Sequence, residues 1–466
     1  MLKKDVHFIG IGGYGMSALA QILIQKGCRV SGSDIKASPL TEELAARGAA
    51  VAIGHHPDNL GSASLVVYST AIASDNPEMA EADRRGLPLW HRSELLAALL
   101  NSAFGIAVAG AHGKTTTTAM IALLLEAGGL DPTAVIGGVL PAYGSNARLG
   151  SGPYLVAEAD ESDSSFTRYF PRLTLVTGIE PDHLEHYNNN YEKLKQAYED
   201  FLHNLPPDGT AVLCFDDPAL RQMAGRLHCR VITYGLNAAA GERPDYTAAK
   251  ITFGGGGSHF NLVISYCSQS TAVQLNIPGR HNISNAVGAL AAAHCLGLDP
   301  ARCAPALAAF GGVKRRFERI GSAGGITVID DYAHHPTEIR ATLEAARPSA
   351  NRIICLFQPH RYSRTAAQFD GFAAAFGEAD YLFLHDIYGA GEAPLPGVSA
   401  ENLAAAIGRR SAIPVVYNSD ICTLEKEAAA AARPGDLIIT MGAGDVTASA
   451  PRIFNILKEK KWPPST

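Results

Sequence analysis

The most constraining stretch of this chain is Gly110-Ala-His-Gly-Lys-Thr-Thr116, which follows the apolar run Phe104-Gly-Ile-Ala-Val-Ala109 and precedes Met120-Ile-Ala-Leu-Leu-Leu125. An apolar run, a glycine turn and a second apolar stretch at helical spacing predict a buried strand that delivers its turn onto a helix N-terminus. The first N–H groups of a helix have no partner within it, and the helix dipole adds partial positive charge, so such a turn cradles phosphate. Lys114 adds a full charge for the outer phosphates, and the Thr115 hydroxyl can ligate Mg²⁺. The first glycine stands at 110 and not at Val108, where the usual phosphate-loop spacing has it. The stretch Gly110, Ala111, His112, Gly113, Lys114, Thr115 and Thr116 therefore predicts a nucleoside triphosphate site; the plainer alternative is an ordinary strand-to-helix turn carrying a surface lysine.

A second glycine turn lies at the start of the chain. Val6-His-Phe-Ile9 predicts a strand, Gly10-Ile-Gly-Gly-Tyr-Gly15 follows it, and Met16-Ser-Ala-Leu-Ala-Gln-Ile-Leu-Ile24 predicts the helix behind. Arg29-Val-Ser-Gly-Ser33 is a further strand ending at Asp34, about 20 residues beyond the glycines, where an acid meets a ribose hydroxyl. Gly12, Gly13, Tyr14, Gly15 and Asp34 are the expected contacts. Their mechanics touch only a diphosphate and a ribose, so they specify those parts of a ligand more firmly than they specify NAD. A packing turn without ligand is the alternative.

At 466 residues the chain suggests about three domains of roughly 150 residues. With 47% hydrophobic and 18% charged residues it has material for several cores. A net charge of −6 and the lack of an extended basic run give no support to nucleic-acid binding. The eight cysteines form no Cys-x-x-Cys pair, so neither a zinc site nor a thiol redox motif is indicated, and their scatter fits reduced thiols. Met1-Leu-Lys-Lys leads straight towards the first strand, which leaves no room for an export leader, and no apolar run approaches the ~20 residues of a membrane span. A cytoplasmic protein without membrane insertion is expected. Its oligomeric state, monomer or homodimer, stays open.

Acids and cations recur where strands end. Tyr154-Leu-Val-Ala runs into Glu158, Asp160, Glu161 and Asp163, and Leu173-Thr-Leu-Val176 leads to Asp182-His183. Ligands of open α/β sheets collect at the carboxyl ends of parallel strands, so these residues can hold Mg²⁺ beside phosphates, and one or two of them suffice. Asn282 and Asn285, three apart at a helix start, share a face from which they can meet a nucleotide or merely cap the helix. Residues 205–275 read as strand-rich, with Gly254-Gly-Gly-Gly257 as a turn. Lys314-Arg-Arg316 opens a last unit whose strands Ile326–Ile329, Ile353–Phe357, Tyr381–Leu384 and Leu437–Thr440 predict a parallel sheet. Asp330-Asp-Tyr-Ala-His-His-Pro-Thr-Glu338 and His360-Arg-Tyr-Ser-Arg364 stand at two of its strand ends. This gathers His334, His335, His360, Arg361 and Arg364, and guanidinium forks match a substrate carboxylate.

Taken together, these motifs, with Pro278-Gly-Arg-His-Asn-Ile-Ser-Asn285, resemble the Mur ligase family over nearly the whole chain and in its order. Within that family they are most similar to the branch that adds L-alanine. The resemblance implies three α/β domains: 1–103, Rossmann-like, for a UDP-sugar; 104–313, a central ATPase; and 314–466, Rossmann-like, for the amino acid. It implies ATP-dependent ligation of L-alanine to the carboxylate of UDP-N-acetylmuramate through an acyl phosphate, a step of peptidoglycan precursor synthesis, with closure of the domains as part of the cycle. It also assigns roles. Lys114 would bind the γ-phosphate; Thr115, Glu161 and His183 would coordinate Mg²⁺. Asn282, Asn285, Arg316 and Asp331 would lie at the ATP, and His360, Arg361 and Arg364 would hold the alanine carboxylate, with Tyr332 and His334 beside the substrate. Lys114, His183 and Arg316 would carry the catalysis. Thr177-Gly-Ile179 departs from the family pattern, which has asparagine where Gly178 stands. Three other readings remain: a branch of the family that adds a tripeptide, an NAD-dependent oxidoreductase built on the first glycine turn, and a nucleotide switch without turnover.

Overall fold

A computed structural model describes residues 5–237, 243–267 and 269–460. Met1–Lys4, on which the expectation about an export leader falls, lie outside the described residues. The chain divides into two compact units. The first comprises Met1–Lys250, Phe260–Gln274 and Ser284–Phe310; the second comprises Ile251–His259, Leu275–Ile283 and Gly311–Thr466.

The first sheet consists of β1 (Asp5–Ile9), β2 (Arg29–Asp34), β3 (Ala50–Ile53), β4 (Leu65–Tyr68) and β5 (Leu89–His91). They run parallel in the order β3-β2-β1-β4-β5. Val6, Phe8 and Ile9 of β1 and Leu65, Val66 and Val67 of β4 are buried, as in a sheet covered on both faces, while β1 and β2 also bury the polar His7 and Ser33. Helix Tyr14–Gln25 is buried on all sides from Met16 through Leu23. The chain leaves β1 for β2 on one side and returns as β4 on the other, so the Gly10 turn stands where the strand order reverses.

The second sheet contains β6 (Phe104–Ala109), β7 (Thr133–Leu140), β8 (Ser145–Arg148), β9 (Tyr154–Glu158), β10 (Leu173–Val176), β11 (Thr210–Cys214), β12 (Arg230–Tyr234), β13 (Tyr246–Gly254), β14 (Gly257–Ile264) and β15 (Gln269–Leu275). Its order is β15-β14-β13-β12-β11-β10-β6-β9-β7-β8. In register, Val108 of β6 lies between Leu175 of β10 and Glu158 of β9, so three strands end side by side. The expected turn at Gly254–Gly257 closes the hairpin of β13 and β14, with φ of 61° and 78° at Gly255 and Gly256.

The third sheet, in the second unit, holds β16 (Glu318–Ala323), β17 (Ile326–Asp331), β18 (Ile353–Gln358), β19 (Tyr381–Leu384), β20 (Val415–Tyr417) and β21 (Leu437–Gly442), in the order β16-β17-β21-β18-β19-β20. Apolar clusters cover both faces, one around Phe357, Phe372 and Phe376, the other around Leu356, Leu424 and Ile453. The four expected strands are its parallel centre. Its two edges are additions: β16 pairs antiparallel with β17, and β20 is three residues long. β16 reads Glu-Arg-Ile-Gly-Ser-Ala without a continuous apolar run, and β20, Val-Val-Tyr, is too short to announce itself in the sequence. Among the described residues no helix is long and apolar enough to cross a membrane.

One buried polar network braces the first glycine turn. Glu78 is fully buried and accepts hydrogen bonds from His7 Nε2 at 3.1 Å, Ser33 Oγ at 2.6 Å, Asn59 Nδ2 at 2.6 Å and the His56 amide at 3.1 Å. Ser33 in turn offers its carbonyl to the amides of Gly10 and Ile11. Burial acts to raise the Glu78 pKa, but the donors outweigh it and hold the carboxyl down at about 2. Replacing Glu78 by Ala strands these donors and should cost about 3–5 kcal/mol in urea unfolding at pH 7. Because the folded pKa lies below the unfolded value of roughly 4.3, this contribution is complete above that pH and fades as pH falls towards 2. Wild type and Glu78→Ala should therefore converge in stability in acid; a constant gap would refute the assignment.

Candidate active site

The phosphate turn follows from its glycines. Gly113 has φ 81° and Gly110 φ 130°, a region that side chains disfavour. A Cβ on Gly113 would stand 2.5 Å from Asn285 Oδ1, and one on Gly110 would collide with Thr177 Oγ1. The turn is pinned from β10: the Thr177 hydroxyl donates to the His112 carbonyl at 2.5 Å, and the Ala111 amide donates to the Gly178 carbonyl at 2.9 Å. Gly178 thus serves through its backbone, while the adjacent Ile179 amide is held by the Asp217 carboxylate at 2.6 Å. Helix Lys114–Ala127 begins at Gly113 with no side chain capping it, which leaves its first amides for a ligand.

Lys114 Nζ donates to the Gly110 carbonyl at 2.7 Å and to both oxygens of Glu161 at 2.8 and 2.9 Å. Glu161 is 4% exposed and Thr115 is 6% exposed. Burial pulls the lysine pKa down, but Glu161 and Asp160 outweigh it and the net shift is upward, so the ammonium stays charged. The Tyr187 hydroxyl donates to the Glu161 carbonyl and fixes the acid's backbone. The other acids are differently engaged. Glu158 accepts from the Gly137 amide, and Asp163 accepts the Ser165 amide at 2.9 Å. Asp160 accepts from Arg92 Nη2 at 3.1 Å. Burial acts to raise the Asp160 pKa, but Lys114 and Arg92 hold it down at about 2. His183 has φ 54° and lies 3.5 Å from Asp182 and 3.8 Å from Glu185.

In the first glycine turn, Asp34 Oδ2 accepts the Gly12 amide at 2.9 Å. Helix Tyr14–Gln25 has no side-chain cap and no acid in its first turn, and Tyr14 is half exposed. Gly15 lies so close to Arg92 that a Cβ would come within 3.3 Å of Nη1. Arg92 therefore spans from this turn to Asp160. Asn146 is a further residue the sequence did not flag. Fully buried, it donates to the Tyr14 carbonyl at 2.5 Å and to Ser17 Oγ at 3.1 Å.

The second unit gathers its motifs at the ends of β17 and β18. Asp331 is buried and accepts the amides of Phe317 at 2.6 Å and Ala333 at 2.7 Å. Burial pushes its pKa up to about 6, against the pull of Arg316. Arg315 and Arg316 both lie 5.2 Å from the Tyr332 ring; Arg315 is tied to Asp330 at 2.8 Å, and Arg316 stands 3.4 Å from Glu338. His334 donates through Nδ1 to the Tyr332 carbonyl at 2.9 Å. Burial drives its pKa down to about 3, so the imidazole is neutral and leaves Nε2 as an acceptor. His335 is instead the N-cap of helix Pro336–Ala346, in a reciprocal box with Glu338. His360 meets Arg364 Nη1 at 3.2 Å and faces the His334 ring at 5.9 Å. Arg364 is 7% exposed, and Arg361 stands 3.9 Å from Glu392. Asn282 donates to the Pro278 carbonyl, which closes the first turn of helix Arg280–Cys295.

Comparison with known proteins places these motifs. Residues 5–103 match the Mur ligase family catalytic domain, 108–293 the Mur ligase middle domain, and 315–444 the Mur ligase glutamate ligase domain. The chain is 45% identical to a UDP-N-acetylmuramate–L-alanine ligase of Paracoccus denitrificans, covering 98% of this chain and 97% of that one. It is 46% identical to the enzyme of the same name from Phenylobacterium zucineum, over 96% and 94% of the two chains. Among solved structures, a UDP-N-acetylmuramate-alanine ligase from Thermotoga maritima superposes with a TM-score of 0.83 at 28% identity, covering 98% of this chain and all of that one. A murein peptide ligase from Psychrobacter arcticus gives 0.72 at 26% identity, covering 98% and 99%. With its three α/β domains in this order, the chain belongs to the Mur ligase family.

Proposed function

We propose that the protein joins L-alanine to the carboxylate of UDP-N-acetylmuramate with conversion of ATP to ADP and phosphate. One observation carries this reading: 45% identity over nearly the full length to relatives bearing that name. The tripeptide-adding reading is supported by solved structures at 26% and 29% identity, well below the 45% of the relatives named for L-alanine. An oxidoreductase would leave the second phosphate turn and the whole last domain without a task. In this reading the domains are 1–103, 104–313 and 314–466, and the reaction runs in the cytoplasm, in keeping with eight free thiols.

A carboxylate is a poor acyl donor. Transfer of the γ-phosphoryl group makes it an acyl phosphate, the alanine amine attacks, and phosphate leaves. Such chemistry asks a protein chiefly for positioning and charge neutralisation. Gly110–Thr116 and Asn285 would cradle the triphosphate, and Lys114 would exchange Glu161 for the γ-phosphate. The hard oxygen donors Thr115 and Glu161, both buried, suit Mg²⁺, and His183 completes the proposed set. Bound there, Mg²⁺ would neutralise charge on the phosphates. Asn282, Arg316 and Asp331 would serve the nucleotide. Gly12, Gly13, Tyr14, Gly15 and Asp34 would hold the UDP-sugar. Arg361, Arg364 and His360 would take the alanine carboxylate, while neutral His334, next to Tyr332, presents an acceptor and no repelling charge to the amine.

Phosphate release from ATP and Mg²⁺ should require both UDP-N-acetylmuramate and L-alanine. Release with a tripeptide in place of alanine would transfer the protein to the other branch, and release with neither would refute ligation. Lys114→Ala should lower the rate about a hundredfold or more while both substrates still bind, measured by steady-state kinetics and equilibrium dialysis. Gly113→Ala should raise the KM for ATP at least about tenfold and cost about 1–3 kcal/mol of stability, because its backbone is left-handed and its Cβ meets Asn285. Unchanged ATP affinity in that variant would count against the turn as the nucleotide cradle.

A further inference from the structure

The loop after β19 holds the backbone from which His360, Arg361 and Arg364 project, and its centre is Tyr388. Arg361 has φ 68° and ψ 135°, a conformation that a residue with a side chain adopts only when its surroundings impose it. The imposing contacts come from Tyr388. Its amide donates to the Pro359 carbonyl at 2.9 Å, and its carbonyl accepts the Arg361 amide at 2.8 Å, a parallel bridge that brackets His360. The side chain repeats the embrace: the Tyr388 ring lies parallel to the His360 ring, 5.9 Å between centroids at 11°. Behind it there is no slack, since a Cβ on Gly444 would fall 2.7 Å from Tyr388 Cγ. The same loop supplies Glu392, which accepts the Ser363 amide at 2.9 Å and its hydroxyl at 2.7 Å, and so secures the start of helix Tyr362–Ala367 that carries Arg364. Yet Tyr388 itself is 40% exposed, much for a large ring so firmly seated.

We infer that Tyr388 is a positioning residue for the amino-acid substrate: by stacking on His360 and bracketing Arg361 it sets the geometry of the groups that take the carboxylate. The inference rests on the assignment of His360, Arg361 and Arg364 to that carboxylate. The ring matters and the hydroxyl does not, because among the described residues no hydrogen bond of the Tyr388 hydroxyl joins it to this cluster. The proposed role is confined to the amino acid, since every contact of Tyr388 named above is with residues 359–361 or with Gly444.

Steady-state phosphate release, with each substrate varied in turn, tests this on the full chain. Tyr388→Ala and Tyr388→Leu should raise the KM for L-alanine at least tenfold, with the KM values for ATP and UDP-N-acetylmuramate within twofold of wild type. Tyr388→Phe should restore the alanine KM to within threefold. An unchanged alanine KM in the Ala and Leu variants, an equal rise in all three KM values, or a Phe variant as impaired as the Ala variant would each overturn the proposal. Thermal melting run alongside identifies a variant that has lost its fold, in which case the Leu and Phe variants decide between the outcomes. His360→Ala separates the underlying assignment: if wild type makes product and this variant keeps the wild-type alanine KM, the carboxylate site lies elsewhere, whatever Tyr388 does.

Discussion

The pairing of Lys114 with Glu161 is the interaction on which the first unit's chemistry turns. An ammonium and a carboxylate taken this far out of water are tolerable only together, and here each satisfies the other with two hydrogen bonds of 2.8 and 2.9 Å. The pair requires β6 and β9 to end side by side, because the lysine follows the first strand and the acid the second. It also requires the tight turn from Gly110 to Gly113, which brings the lysine back over its own strand end to the Gly110 carbonyl. In the proposed reading a ligand with phosphate oxygens and a divalent cation would offer both partners a replacement at once, so the pair would serve as a preformed seat and not a rigid lock.

Around that seat the first unit uses backbone restraint more than side-chain contact. Thr177, Gly178 and Asp217 hold the phosphate turn; Asp34 and Asn146 hold the glycine turn of the first sheet. Arg92 then joins the two neighbourhoods through Asp160. The second unit follows the same economy with different means. Arg315 and Phe317 both have positive φ, and the chain there is fastened by Asp330, Asp331 and the Tyr332 ring. Backbone held in a rare conformation by several independent contacts is a frequent mark of a functional region.

Electrostatics divide the two units. Near Lys114 opposite charges dominate, so Asp160 stays ionised and the ammonium charged. Near β17 desolvation dominates, so Asp331 is pushed up to about 6 and His334 down to about 3. The first environment suits the binding of polyanions with a metal ion. In the proposed reading the second would receive a zwitterion, its carboxylate at Arg361 and Arg364 and its amine beside the neutral His334.

Much was legible before any coordinates. Glycines at 10, 12, 15, 110 and 113, the Gly-Lys-Thr run and the acids at strand ends are local signals, since turn geometry and helix termini depend on residues a few positions apart. They determined the α/β class and the candidate site residues, while chain length and the family resemblance pointed to three domains. Tertiary structure decided what spacing cannot carry. That Glu161 meets Lys114 while Glu158 serves the Gly137 amide depends on the registers of β6, β7 and β9. His335 became a cap and His334 a neutral acceptor through one residue's difference in direction after β17. Glu78, Asn146 and Tyr388 were silent in the sequence because their partners lie far along the chain. Partnership across such distances is set by how sheets pack and loops return, and no local pattern of residue types records it.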